Sequence, residues 1–271
     1  MKVLTLVKDG RPRKRALQNF LKKLLIYSIL LGIGFVFLYP IIYMLTNSFL
    51  TPEDLNDPAV YWIPTKIYFG NFAKALEVLN FWPSFGRSFL MSALPAVFQT
   101  IVASLTGFAL ARFRLPGAKL WLAVLIIIFL IPSQVTMIPR YILFDGLHMI
   151  NTVFPYYLPA ILGQGLRSTI FVLIFYRYFA TYPKSFDEAA ALDGAGKMKI
   201  FLRIALPISS SAILLSIILS FVWYWNETTQ ANLLFGTKIP TLPLKLANFT
   251  AQYEALYGGS DSGVEKLNES I

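Results

Sequence analysis

The stretch Glu188-Ala-Ala-Ala-Leu-Asp-Gly194, followed after nine residues by Ile204-Ala-Leu-Pro207, lies between two apolar segments. Each of these segments is long enough to cross a lipid bilayer, whereas the stretch itself is polar and basic. The sequence therefore predicts a structured loop at the membrane surface. Such a loop is expected to dock onto another protein.

Two short helices separated by a turn are predicted within this loop. Ser185 stands three residues before Glu188, which is the spacing of a capping box. The alanine-rich run after Glu188 has high helix propensity, and Gly194 and Gly196 are predicted to supply the positive φ of a helix end. A second helix is predicted to begin near Lys197.

The composition places the chain among polytopic membrane proteins. Of its 271 residues, 56% are hydrophobic and only 14% are charged, and the mean hydropathy is +0.60. A soluble core does not need so much apolar surface. The net charge of +10 does not indicate nucleic-acid binding, because the basic residues stand at the ends of apolar runs, where they act as topology signals.

Residue types needed for catalysis and metal binding are scarce. The chain has no cysteine and one histidine, His148, so disulfides and thiolate metal sites are excluded. The run Gly194-Ala-Gly-Lys197 lacks the first glycine and the Ser/Thr of a phosphate-binding loop. We predict no catalytic residue, no metal and no bound cofactor. A membrane-embedded enzyme would need a cluster of carboxylates or histidines, which the sequence does not supply.

The predicted fold class is all-α, a polytopic bundle of membrane helices. The five predicted spans are 24–45, 88–111, 120–137 (broken by Pro132), 153–179 and 207–225. The basic residues in 1–23 place the N-terminus in the cytoplasm. A signal peptide is the alternative, but the first apolar run is longer than a typical signal and lacks a cleavage site.

Small residues recur every four positions in two of the spans and predict close helix packing. These residues are Ala96, Thr100, Ser104, Ala103, Gly107, Ala111, Ala212, Ser216 and Ser220.

The spaced pattern from Glu188 to Pro207 resembles the EAA loop of the membrane-spanning subunits of binding-protein-dependent ABC importers. A second resemblance is the stretch Ala111-Arg-Phe-Arg114 followed by Gly117. Ile138-Pro139 and Trp225-Asn-Glu227 look like the carbohydrate, maltose-type branch of this family. A purely structural membrane protein would have no reason for such fixed spacing.

The resemblance implies that the loop docks in a cleft of a separate cytoplasmic ATPase dimer, which uses ATP and Mg. The implied docking residues are Glu188, Ala189, Ala190, Asp193, Gly194, Ile204, Leu206 and Pro207. Further implied partners are a second permease subunit, expected to be a different chain, and an external solute-binding lipoprotein or periplasmic protein. The implied location is the prokaryotic inner membrane, with lipid and no nucleic acid as surroundings.

Polar and aromatic residues within or beside the spans are candidates for the substrate path, because aromatic faces stack on sugars and amides bind hydroxyls. They are Gln134, Gln164, Arg167, Tyr224, Trp225, Asn226 and Glu227. A charge inside a span costs about 2.5 to 3.5 kcal/mol unless it faces a cavity or partner. Structural alternatives remain open: an inter-helix hydrogen bond for Gln134 and an interfacial aromatic belt for Trp225.

The predicted domains are a basic segment 1–23, a permease domain 24–228 containing the loop 183–207, and an external polar segment 229–271. The family normally has a sixth span, and no run of about 20 apolar residues follows Trp225. We expect truncation before that span, with a five-span variant as the alternative. A permease for glycerol phosphate or another small polar solute is the alternative function, although Arg167 is the only clear cation for a phosphate.

Overall fold

A computed structural model describes residues 11–60 and 62–257. These residues form helices and connecting loops without a β-strand, so the predicted all-α fold class is confirmed. Residues 1–10 of the predicted N-terminal segment and 258–271 of the predicted C-terminal segment lie outside the described residues. The contacts divide the chain into two units, whose described parts are 11–60 with 62–75, and 76–257.

The first unit is dominated by one long helix. Its elements are α1 (Arg11–Asn47), α2 (Pro52–Asn56) and the start of α3 (Gly70–Val78). Helix α1 contains the predicted first span, and its 31-residue apolar part, Leu17–Asn47, is long enough to cross a bilayer. It has Pro40 in its interior.

The loop after α1 is fixed by a buried carboxylate. Thr51 caps α2 in a capping box with Asp54, and the Asp54 carboxylate also accepts bonds from the Thr65 hydroxyl at 2.6 Å and amide at 3.1 Å. The bonds from Thr65 lower the pKa of Asp54. Asn71 donates to the carbonyls of Ser48 and Leu50, so the loop is held at both ends.

The second unit contains the remaining helices. They are α4 (Phe81–Arg112), α5 (Ala118–Leu130), α6 (Ser133–Gly146), α7 (Phe154–Ile161), α8 (Ser168–Thr181), α9 (Ser185–Leu192), α10 (Lys197–Ile200), α11 (Leu206–Ile208), α12 (Ser210–Asn226), α13 (Thr229–Phe235), α14 (Leu242–Ala247) and α15 (Phe249–Tyr257). A π-helical segment, Phe201–Ala205, joins α10 to α11.

Helix α4 is the centre of the second unit, because it packs against α7, α8, α12 and α14. Its small residues face these neighbours: Ala96, Ala103 and Gly107 are buried, as the four-residue spacing predicted. A Cβ on Gly107 would lie 2.6 Å from the Phe175 Cβ. The small residues of α12, including Ser216, are also buried. Close packing of both helices is therefore confirmed.

Three of the predicted spans are bent or divided. The third is bent by 92° between α5 and α6 at Pro132, and the fifth is bent by 77° at Ser209, just before α12. The fourth consists of α7 and α8 with residues 162–167 between them, and α8 alone is about 21 Å long. The described residues contain two single helices long and apolar enough for a membrane, or up to four spans if each bent pair counts as one.

The bend before α12 has a local cause. Pro207 has no amide hydrogen, and the preceding π-helical turn shifts the hydrogen-bond pattern, so the helix is not continuous through this point. The fully buried Ser209 instead donates through its hydroxyl to the Leu206 carbonyl at 2.9 Å.

The segment that follows α12 folds back onto the end of α3 and onto α4. The Leu242 amide donates to the Ser88 hydroxyl at 2.6 Å, and the Tyr257 hydroxyl donates to the Glu77 carboxylate at 2.6 Å. The longest helix in residues 227–257 has nine residues, which is too short for a span. The segment was predicted only to be polar, and its described part forms three short helices, α13, α14 and α15.

Candidate functional site

The loop between α8 and α12 has the predicted arrangement of two helices and a turn. Helix α9 ends at Leu192, and Gly194 adopts a φ of +78°, which favours glycine. Helix α10 begins at Lys197, as predicted. The prediction for Gly196 is wrong: its φ is −68°, and it precedes α10 in an extended conformation, so it is not needed for a left-handed turn.

The predicted capping box at Ser185 is also wrong. The residue at the cap position is Lys184, which has helical φ and ψ and makes no side-chain cap. A capping residue stands just before the helix and has a non-helical backbone. Ser185 is already the first residue of α9, so it cannot cap the helix. The Glu188 amide donates to the Lys184 carbonyl at 3.0 Å, and the Glu188 side chain is exposed.

The docking residues of the loop divide between two faces. Ala190 packs against the core, whereas Glu188, Ala189, Asp193 and Gly194 are exposed. Their neighbour Leu192, at the end of the same helix, is 89% exposed. The outer face of α9 therefore combines carboxylates with an exposed apolar side chain. Such a face suits contact with another protein.

The inner face of the loop is firmly seated. Ile200, Phe201 and Ala205 are buried in one cluster with the phenylalanines of α8, including Phe175 and Phe179. Because α10 and the π-helical segment fill this cluster, the loop cannot shift without disturbing the core.

The far end of the loop lies at the bend before α12. Leu206 packs on the cluster, Ile204 is half-buried, and Pro207 is exposed. The Tyr178 hydroxyl donates to the Ile208 carbonyl at 2.6 Å and so ties this end to α8.

Three residues that the sequence did not single out as a group lie where α9 meets α4. The Arg112 guanidinium donates to the Tyr182 carbonyl at 2.6 Å, lies 3.6 Å above the Tyr182 ring, and is 3.5 Å from the Asp187 carboxylate. The Tyr182 hydroxyl donates to the same carboxylate. Burial and this bond raise the pKa of Tyr182 well above 10.

The predicted substrate-path residue Tyr224 is buried, with 4% of its surface exposed. Its hydroxyl accepts a bond from the Leu166 amide at 3.1 Å and donates to the Gln99 side chain at 3.3 Å. Gln99 is 1% exposed and also donates to the Leu166 carbonyl and the Ser220 hydroxyl. This network joins α4 and α12 to the break between α7 and α8.

The break itself carries two further candidates. Gln164 and Arg167 are exposed, and Arg167 has a φ of +51°. The Arg167 guanidinium lies 4.8 Å from the Trp223 ring, which is a cation–π contact. Gly165 lies against the network described above, because a Cβ there would be 2.0 Å from the Gln99 carboxamide oxygen.

The remaining candidates lie on α6 and at the end of α12. Gln134 is exposed on α6. Trp225 packs edge-on against Phe85, and the exposed Asn226 donates to the Val222 carbonyl. The Glu227 carboxylate accepts from the Gln230 amide at 2.9 Å, so it holds the start of α13. Within residues 11–60 and 62–257, no three His, Cys, Asp or Glu side chains come together as a metal site.

Known proteins with similar sequences are transport permeases. The chain is 27% identical over 238 residues to the diacetylchitobiose uptake system permease protein DasC of Streptomyces coelicolor, covering 86% of this chain and 83% of DasC. It is 29% identical over 237 residues to the arabinooligosaccharides transport system permease protein AraQ of Halalkalibacterium halodurans, covering 84% and 83% of the two chains.

The fold is similar to that in the crystal structure of a bacterial ABC transporter involved in the import of the acidic polysaccharide alginate. The TM-score is 0.71 at 22% sequence identity, and the match covers 83% of this chain and 79% of that chain. Residues 100–260, more than half of the chain, match the family model of the binding-protein-dependent transport system inner membrane component. The chain therefore belongs to the family of inner membrane components of binding-protein-dependent transport systems.

Proposed function

We propose that the chain is the transmembrane subunit of an ABC importer and forms part of the translocation path for a sugar or oligosaccharide. The observation that carries the proposal is the loop from α9 to α11, whose inner face is fixed in the core while its outer face presents Glu188, Asp193 and the 89% exposed Leu192. A loop built in this way transmits force from a bound partner to the helices. Family membership supports this interpretation.

The proposed partner at this loop is a separate cytoplasmic ATPase dimer that binds ATP and Mg. Closure of the dimer would move α9 as a rigid body, and the buried side chains Ile200 and Phe201 would carry that movement into the core. The docking set is Glu188, Ala189, Ala190, Asp193 and Gly194, with Ile204, Leu206 and Pro207 at its far end. A second permease subunit and an external solute-binding protein complete the assembly.

The proposed substrate class rests on the relatives and on the residues at the break. DasC and AraQ are named for diacetylchitobiose and arabinooligosaccharides. In this chain Gln164 and Arg167 are exposed between two helices, and Trp225 lies at the end of a third. Amides, guanidinium groups and aromatic faces are suited to saccharide hydroxyls and rings.

Docking is tested by co-purification. The tagged chain is expressed with a candidate ATPase, extracted in mild detergent and isolated, and the bound ATPase is quantified. We expect Glu188→Ala to reduce the bound ATPase strongly. Ser185→Ala, on the same helix and also exposed, is the matched control and is expected to bind normally. If Glu188→Ala and Gly194→Val, tested as separate variants, both bind the ATPase normally, the docking proposal is contradicted.

The substrate is tested by uptake. The complete importer is reconstituted in vesicles with its solute-binding protein, and ATP-dependent uptake of labelled chitobiose, arabinobiose, maltose and glycerol phosphate is compared. We expect uptake of at least one saccharide and none of glycerol phosphate. Uptake of glycerol phosphate alone would overturn the carbohydrate assignment while leaving the importer assignment intact.

A further inference from the structure

We propose that Arg112, Tyr182 and Asp187 form a latch that clamps the docking helix α9 to the cytoplasmic end of α4. Through this latch, movement of the loop reaches the centre of the bundle along α4, in addition to the route along the chain into α12. The inference rests on the proposed function of the loop. It assigns positioning roles to three residues outside the docking set.

The latch holds the Arg112 guanidinium through one hydrogen bond, one ion pair and one ring contact. One nitrogen donates to the Tyr182 carbonyl at 2.6 Å, another lies 3.5 Å from the Asp187 carboxylate, and the plane covers the Tyr182 ring at 3.6 Å. Only 4% of the Arg112 side chain and 16% of the Asp187 side chain are exposed. A buried ion pair of this kind is costly to break, because the remaining charge has no solvent.

The two charges of the latch match the dipoles of the helices that carry them. Arg112 is in the last turn of α4, where a cation is favoured, and Asp187 is in the first turn of α9, where an anion is favoured. The Tyr182 hydroxyl donates to the second carboxylate oxygen, and burial together with this bond raises the pKa of Tyr182. One oxygen of the Asp187 carboxylate therefore accepts from Tyr182, and the other faces Arg112.

Helix α4 connects the latch to the buried network. It is continuous from Phe81 to Arg112, and Gln99 lies on it thirteen residues before Arg112, or about 20 Å along the axis. Gln99 bonds both the Leu166 carbonyl, in the break between α7 and α8, and Ser220 on α12. A shift of α4 at its cytoplasmic end therefore moves Gln99 and its bonds to Leu166 and Ser220.

The direct route along the chain is less rigid. Between α10 and α12 it passes a π-helical segment, Pro207 and a bend of 77°. Such irregular segments lack the regular hydrogen bonds that stiffen a helix. The latch gives α9 a second connection to the bundle, through α4, that does not pass this bend.

The latch is tested in the reconstituted importer with Asp187→Asn, Arg112→Gln and the charge swap Arg112→Asp with Asp187→Arg. Arg114→Gln is the matched control, because Arg114 is exposed in the same basic loop. Three quantities are measured: the ATPase bound to the chain, the rate of ATP hydrolysis and the saccharide transported per ATP. Monodisperse elution in detergent monitors folding.

We expect each single variant to bind the ATPase normally and to hydrolyse ATP, but to transport at least about fivefold less saccharide per ATP, the lower end of ordinary coupling energies. The charge swap is expected to recover only part of the loss, because it restores the ion pair but not the bond to the Tyr182 carbonyl or the match to the helix dipoles. A merely structural role would not produce even this partial recovery. Arg114→Gln is expected to behave as the unaltered chain.

The outcomes separate the two proposals. If the unaltered chain binds no ATPase, the proposed function fails. If it binds the ATPase and the single variants transport normally, or lose ATPase binding instead of coupling, the latch is overturned. If the single variants do not fold, the charge swap decides: restored transport supports the latch, and continued failure overturns it.

Discussion

The contact between α4 and α8 at Gly107 permits a sharp prediction for stability. A Cβ at this position would lie 2.6 Å from the Phe175 Cβ and 2.7 Å from the Tyr176 amide nitrogen. Neither atom is at the end of a flexible side chain, so the two helices must move apart to accommodate a methyl group. Gly107→Ala is therefore expected to disrupt the contact between α4 and α8.

The magnitude follows from two opposing effects. Replacing a helical glycine with alanine stabilises a helix by up to about 1 kcal/mol. Overpacking a well-packed core costs about 1 to 3 kcal/mol, and a clash with backbone belongs at the upper end of that range. The net expectation for Gly107→Ala is a loss of about 2 kcal/mol in the free energy of unfolding.

The matched control is Gly86→Ala, which lies on the same helix and has no atom within 4 Å of its added Cβ. Unfolding by SDS in mixed micelles, followed by tryptophan fluorescence, measures both variants. We expect Gly86→Ala to equal or slightly exceed the unaltered chain in stability. A Gly107→Ala variant as stable as Gly86→Ala would refute the packing of α4 against α8.

Two further changes test the network and the first loop. Gly165→Ala should destabilise the chain by about 1 to 2 kcal/mol, because the methyl group displaces the Gln99 carboxamide and intramembrane hydrogen bonds are worth up to about 1.7 kcal/mol each. Adding Gln99→Ala should cost less than the two separate changes together, as a double-mutant cycle would show. Because the pKa of Asp54 is lowered by Thr65, its contribution to stability is present above the ordinary value of 3.8 and is lost as the pH falls below it. Thermal unfolding between about pH 5 and 2 should show a larger loss in the unaltered chain than in Asp54→Asn, in which the other carboxylates still titrate.

Local patterns in the sequence predicted much of the helical framework. The small residues at Ala96 and Gly107 are buried, and the turn at Gly194 and the helix start at Lys197 are where the spacing placed them. These features depend on intrinsic propensity or on periodicity within one element. The capping box at Ser185 was wrong because Lys184 is already helical, a property that neighbouring residues do not reveal.

Contacts between distant residues were beyond the sequence. Arg112 and Asp187 are 75 positions apart. In the sequence Arg112 is one of several basic residues beside an apolar run, and Asp187 is an acidic residue next to Glu188, so neither points to the other. Gln99 stands between Phe98 and Thr100 in a largely apolar run and gave no sign that it bonds both Leu166 and Ser220. Only the fold brings these groups together.

The same limit applies to the spans. Hydropathy averages over about 20 residues and does not register a bend, so the 77° turn at Ser209 was not predicted. The break at Pro132 was predicted because proline leaves a direct mark on the sequence. The count of five spans remains a prediction.

The central claim, that α9 docks on a cytoplasmic ATPase, is tested most directly by a cysteine crosslink. The chain has no native cysteine, so Ala189→Cys, on the exposed face of α9, has a clean background in membranes containing ATPase subunits with one cleft cysteine each. We predict a crosslink whose yield changes with bound nucleotide. Absence of any crosslink, together with labelling of the new thiol from outside the cell, would contradict the claim.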